Sequence, residues 1–175
     1  MRSFSEKKIR HKLSIAVPKD TRLEIDAARG VTVVRGLEGD LSADVNGGAL
    51  SLVEHRGAVK IEIDEGQVEL KDHRGAARPV EIKGDEGNVS VSLAGGESGP
   101  GVIQLDNGRI DFSLSPKTRT AVQAIVTEEG TVESEGFPIT RPDPQALYVH
   151  AHQGKYLWQL SLKKGTVRVG LPEIK

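Results

Sequence analysis

From Gly39 onward one pattern recurs along the chain: Gly, any residue, apolar, any residue, apolar. It fits Leu41/Ala43, Leu50/Leu52, Val59/Ile61, Val68/Leu70, Val89/Val91, Ile110/Phe112 and Val167/Val169, each counted from its own Gly. Alternation at period two puts every apolar side chain on one face of an extended segment, which is the signal of a half-buried strand. The same alternation predicts strands at Leu13–Val17, ended by Pro18, at Leu23–Ile25, at Ile103–Leu105, Ile110–Leu114 and Val122–Val126, and two or three more between Leu147 and Val169. No window carries an apolar stripe at i, i+3, i+4 and i+7, so helix should be scarce. Gly30 breaks the pattern by one residue, since Val31 and Val33 are the apolar pair, and a bulge or a reset of the register is expected there.

The glycines also keep time. Gly30, Gly39, Gly48, Gly57, Gly66 and Gly75 are nine residues apart, and two steps give a repeat of eighteen: His55-Arg56-Gly57-Ala58 returns as His73-Arg74-Gly75-Ala76. A short strand cannot bury its apolar face alone, but a chain that turns at each Gly stacks strand on strand. The expected fold is therefore all-β: a single-stranded β-solenoid (β-helix) with coils of roughly 18 residues, narrow and two-sided, with a three-sided coil as the variant. Regularity falls after Gly75. Gly87 comes three residues late with Pro79 in the gap, and loops are expected near 94–101 and 136–146. Residues 1–12 form a polar lead-in, and 13–172 one domain that is looser in its C-terminal half.

Composition removes several function classes. With 24 Lys+Arg against 25 Asp+Glu the formal charge is -1, so no field attracts nucleic acid, and 3% aromatics leave no stacking platform for single strands. The absence of Cys excludes disulfides and thiolate sites. No segment approaches the ~20 apolar residues of a membrane span. The basic start has no apolar stretch after it and does not resemble a signal peptide. As the sequence stands this predicts a cytoplasmic protein, or one of the cell envelope if the chain is a fragment of a longer one.

Candidate chemistry is sparse. Calcium-binding nonapeptides share the period of nine, but Gly47-Gly48-Ala49-Leu50-Ser51 lacks their third Gly and Asp. Asp64-Glu65 and Asp85-Glu86 precede Gly66 and Gly87, and paired carboxylates on adjacent coils are what a polysaccharide-cleaving β-helix would need. Acids at solvated corners explain them more simply. His150 and His152 share a strand face, yet two His fall short of the ~3 or 4 ligands of a zinc site. No catalytic triad, phosphate loop or dinucleotide fingerprint is present, and no cofactor is implied. What remains are two interaction edges. His55, Arg56, His73 and Arg74 should stack along one corner, and Asp64, Glu65, Asp85 and Glu86 along the opposite one, a pair of surfaces able to meet between molecules. Like charge at the first corner should hold both imidazoles below their ordinary pKa.

Leu105-Asp-Asn-Gly-Arg-Ile-Asp-Phe, Gly130-Thr-Val-Glu-Ser, Gly154 through Leu162, and Lys164-Gly-Thr-Val-Arg-Val169 give the chain a resemblance to the bacterial adhesin-type β-solenoid domain family, a domain family of largely unknown function. The resemblance implies a non-enzymatic repeat domain, often attached to the cell envelope or encoded in stress-response settings, with no catalytic residues. Together these observations predict a binding or scaffolding module, adhesin-like, with a protein or cell-envelope partner and a capacity for homo-oligomers. The alternatives are a self-assembling β-solenoid polymer and, less well supported, a polysaccharide-active enzyme.

Overall fold

A computed structural model of the chain describes residues 13–74, 78–137, 146–151 and 156–171. Ten strands occur in chain order: β1 (Leu23–Ala27), β2 (Val31–Arg35), β3 (Leu41–Val53), β4 (Val59–His73), β5 (Val80–Leu93), β6 (Gly96–Glu97), β7 (Gly101–Leu114), β8 (Thr118–Ser134), β9 (Ala146–Ala151) and β10 (Leu157–Gly170). There is no helix among the described residues. Eight strands form one parallel path, β1-β3-β4-β5-β7-β10-β8-β6, while β2 runs parallel to β3 and β9 antiparallel to β8. The all-β parallel sheet is the arrangement expected of a β-helix or solenoid.

The Gly-centred repeats appear as long strands with a turn inside them. In β3 the buried positions are Leu41, Ala43 and Val45, then Leu50 and Leu52, so the parity flips across Asn46–Gly48. β4, β5, β7 and β10 flip at Gly66, Gly87, Gly108 and Gly165. These glycines pair in register, Gly48 with Gly66, Gly66 with Gly87, Gly87 with Gly108, Gly108 with Gly165 and Gly165 with Gly130. A Cβ on Gly108 would stand 1.9 Å from the Gly87 carbonyl oxygen, and its φ is +127°. Only a residue without a side chain fits so close a backbone contact.

Register advances by eighteen residues where Leu41 meets Val59 and by twenty-one where Val59 meets Val80 and Val80 meets Gly101. The extra residues enter between His73 and Val80, so the late Gly87 regains its place over Gly66. The interior is one cluster of Val, Leu and Ile that gains bulk toward the C-terminal end, where Phe112 and Trp158 meet at 4.9 Å. Each such buried side chain contributes about 1.5–3 kcal/mol.

Chain order and spatial order part at β10, which lies between β7 and β8 and pairs with both. Three features hold it there. Its inward Trp158, Leu160, Leu162, Val167 and Val169 continue the apolar rows of Gly101, Ile103, Leu105, Ile110 and Phe112. The Trp158 indole occupies the space a side chain at position 101 would need, a Cβ there falling 2.2 Å from the ring. Its Nε1–H donates to the buried Ser98 hydroxyl at 3.0 Å, which in turn donates to the Gly99 carbonyl. Finally, Lys163 and Lys164 sit between acidic neighbours, with Lys163 2.6 Å from Asp106 and Lys164 3.6 Å from Glu128.

Several expectations are corrected. Leu13–Val17 forms no strand; Leu13 is 83% exposed, because nothing in the sheet pairs with this segment. Gly30 introduces no shift: Val31 pairs with Ala49 and Val33 with Ser51, so both valines face outward and Thr32 and Val34 inward. The loop expected at 94–101 is interrupted by the short strand β6 and ends where β7 begins. Gly75, Gly154, His152 and most of the expected 136–146 loop lie outside the described residues.

Candidate functional site

The residues expected along the two edges differ in exposure. At the first, Arg56 and Arg74 are exposed, and the Arg56 guanidinium lies 3.7 Å from Glu38. His55 and His73 are not on this edge. Each is 1% exposed, within the core. The cause is local: Glu54 and Asp72 adopt φ of +57° and +54°, and this left-handed step turns the following side chain inward. Arg56 N donates to the Leu37 carbonyl, Arg74 N to that of His55, and Ala94 N to that of His73. The two His therefore occupy an interior row otherwise filled by Leu37, Leu93 and Leu114.

His55 donates from Nε2–H to the Gly39 carbonyl at 3.0 Å; among the described residues, its Nδ1 and both ring nitrogens of His73 have no partner at hydrogen-bond distance. Burial pushes both pKa values down, opposed at His55 by the Gly39 carbonyl and Asp40; at His73 the charge of His55 reinforces the fall and the His55 backbone opposes it, and the value comes to about 4. The expected downward shift is present, but desolvation leads at both rings, and like-charge repulsion contributes at His73 alone. The rings are stacked at 14° between planes, so their in-plane lone pairs do not converge on a common point. They cannot chelate one ion between them.

The opposite corner keeps its acids. Glu65 pairs with Glu86 and is exposed, as are Asp64 and Asp85. Asn46 and Asn107 continue the row on either side. Beside it lies an open trough of about 600 Å³ that includes Asp44, Glu62, Asp64, Asp85 and Asp106, with Lys83 and Gln104 among them. Asp44, Glu62, Lys83 and Gln104 belong to one outward row, and Ser42, Lys60, Glu81 and Val102 to the next. Lys60 bonds Glu62 at 2.9 Å and Lys83 bonds Glu81, each within its own strand. These bonds raise the pKa of Lys60 and lower that of Glu81. Both groups are exposed, so solvent screens the pairs and they add little to stability.

The sequence pattern singled out the acid pairs but not Asp44, Glu62 and Asp106. Asp44 and Glu62 align at the step of eighteen, whereas Asp106 follows Asp85 at the step of twenty-one, which a constant count of eighteen misses. Among the described residues no group of three or more His, Asp or Glu is placed to hold a metal ion. His152 and the side chain of His150 lie outside what is described. The exposed Asp64, Glu65, Asp85 and Glu86 offer no buried acid of the kind glycoside hydrolysis uses to protonate a leaving group. Compared with protein-family models, with curated proteins and with solved structures, the chain matches none.

Proposed function

We propose that the chain is a non-enzymatic binding or scaffolding module, a single-stranded β-solenoid whose outer faces recognise an extended partner in the manner of an adhesin-like domain. In this reading each turn of the coil takes 18 residues early in the chain and 21 after the insertion. The observation that carries it is the row geometry: polar side chains repeat at strand spacing along a rigid parallel ladder, as in the row Asp44, Glu62, Lys83 and Gln104. Strands ~4.8 Å apart present such rows at a fixed interval, which suits a ligand that is itself periodic and extended. The acidic trough favours a partner carrying spaced positive charge.

The polymer reading has less support. End-to-end stacking needs two open ends, and β9 pairs antiparallel with β8 across Thr120–Ile125, covering that part of its outer edge.

Fluorescence polarisation with labelled extended peptides of graded charge tests the proposal. Binding of the cationic members is expected, falling with salt and lost in an Asp64→Asn/Asp85→Asn variant of unchanged fold. Indifference to peptide charge, no binding at millimolar peptide, or turnover of any polysaccharide would count against it.

A further inference from the structure

At one end of the sheet β9 covers Thr120–Ile125 of β8; at the other, among the described residues, β1 and β2 pair with β3 alone, so each presents a free row of backbone N–H and C=O groups. β2 differs from every strand above it on its outward face. Val31 and Val33 are 77% and 48% exposed, while the same two rows continue as Ala49 and Ser51, Gln67 and Glu69, Asn88 and Ser90, and Arg109 and Asp111. Four β-branched residues in succession, Val31-Thr-Val-Val34, on an unpaired edge make a template for another strand.

We infer that this end binds a second copy of the chain head to head, with β1 of each protomer docked antiparallel on β2 of its partner. The proposal uses the winding inferred above and is independent of any peptide or envelope partner. Charge selects the occupant and the pairing. Set antiparallel with Glu24 opposite Arg35, Asp26 falls opposite Val33 and Ala28 opposite Val31 on the outside. Ile25 then meets Val34, and Ala27 meets Thr32, on the inside. Inward residues face inward residues throughout, which preserves the alternation of both strands. Glu24 and Arg35 are both exposed and neither has an ion-pair partner among the described residues. The competing pairings are poorer. β1 against β1 brings Glu24 and Asp26 against the same acids of the partner, and β2 against β2 leaves Arg35 without a counter-charge. A two-fold axis forms the β1–β2 contact twice and uses up both bare edges, so the assembly closes at two copies. At the far end β9 occupies the edge of β8 across Thr120–Ile125, so the two ends of the sheet are not equivalent.

Sedimentation across a concentration series provides the test, with circular dichroism as the check on folding. The native chain is expected to approach twice its 18.8 kDa mass as concentration rises. Arg35→Glu should weaken the dimer about tenfold or more, since the contact occurs twice, and Glu24→Arg/Arg35→Glu should restore it. Val33→Asp, set against Asp26, should break the dimer, whereas Val33→Lys should keep it. A β-rich monomer at every concentration, growth into filaments, or a dimer indifferent to Arg35→Glu would overturn the proposal. So would slow hydrogen exchange of the β2 amides in a monomer, which would mean that the chain covers its own edge. A spectrum without β-sheet would instead remove the winding, and this pairing with it.

Discussion

The imidazoles of His55 and His73 lie face to face inside the protein, their centroids 5.6 Å apart, in a row otherwise built from leucine. They are the charge-bearing groups among the buried residues described, and three of their four ring nitrogens have no hydrogen-bond partner among the described residues. Such a pair is tolerated only while both rings are neutral.

Acid should therefore destabilise the fold. Burial lowers both folded pKa values, His73 to about 4, below the ordinary value of 6.5. The unfolded chain takes up protons first as pH falls. The stability this neutrality confers is complete above about pH 6.5 and is lost progressively toward pH 4. For His73 alone the loss is on the order of 3 kcal/mol across that window. Denaturant melts at pH 7.5, 6, 5 and 4 measure it, and NMR titration of the two rings locates it. Midpoints that stay level from pH 7.5 to 5, or a raised pKa for either ring, would remove the buried pair from the account.

Replacing the pair by the residue its row otherwise carries should help at neutral pH. His55→Leu/His73→Leu removes three bare nitrogens and restores an all-leucine row, a gain of about 1–3 kcal/mol if the larger side chains fit. The acid sensitivity should flatten in the same variant. Equal acid sensitivity in the variant and the native chain would place the titrating groups elsewhere.

The two His also mark where sequence pattern stops being informative. Alternation and the nine-residue glycine step expose the strands, the parallel stacking and the acidic corner, because all three are periodic. The inward turn of His55 depends on the left-handed backbone at Glu54, a residue type that does not announce it. The place of β10 is hidden for a different reason. Its partners Gly101 and Val122 are fifty-seven and thirty-six residues from Trp158, and no local period links them. Gly101, from another strand, lacks the side chain that would fill the space the Trp158 indole occupies.

Two glycines separate steric need from backbone need. Gly96 has φ of +119° with open space where a Cβ would go, whereas Gly108 has φ of +127° and the Gly87 oxygen at 1.9 Å. Gly96→Ala should cost about 1–3 kcal/mol, the strain of the backbone alone. Gly108→Ala should cost clearly more, because two strands must part to admit the methyl. Chemical denaturation of both variants decides, and equal losses would show that the glycine row is not a close-contact seam.

The last expectation concerns the order of assembly. β10 cannot take its place until β7 and β8 have both formed edges, since it hydrogen-bonds to each along its length. Its contacts span long stretches of chain, and such contacts close late because loop entropy must be met first. The chain has a single Trp, so indole fluorescence reports this step alone. In refolding, far-UV circular dichroism should recover before the emission of Trp158 shifts to the blue. Ser98→Ala leaves the indole N–H without its acceptor and should cost about 1–3 kcal/mol. That loss should appear mostly as faster unfolding, because an interaction made after the transition state does not slow folding. Coincident recovery of both signals, or Ser98→Ala slowing refolding by its full equilibrium effect, would instead put the insertion of β10 in the folding nucleus.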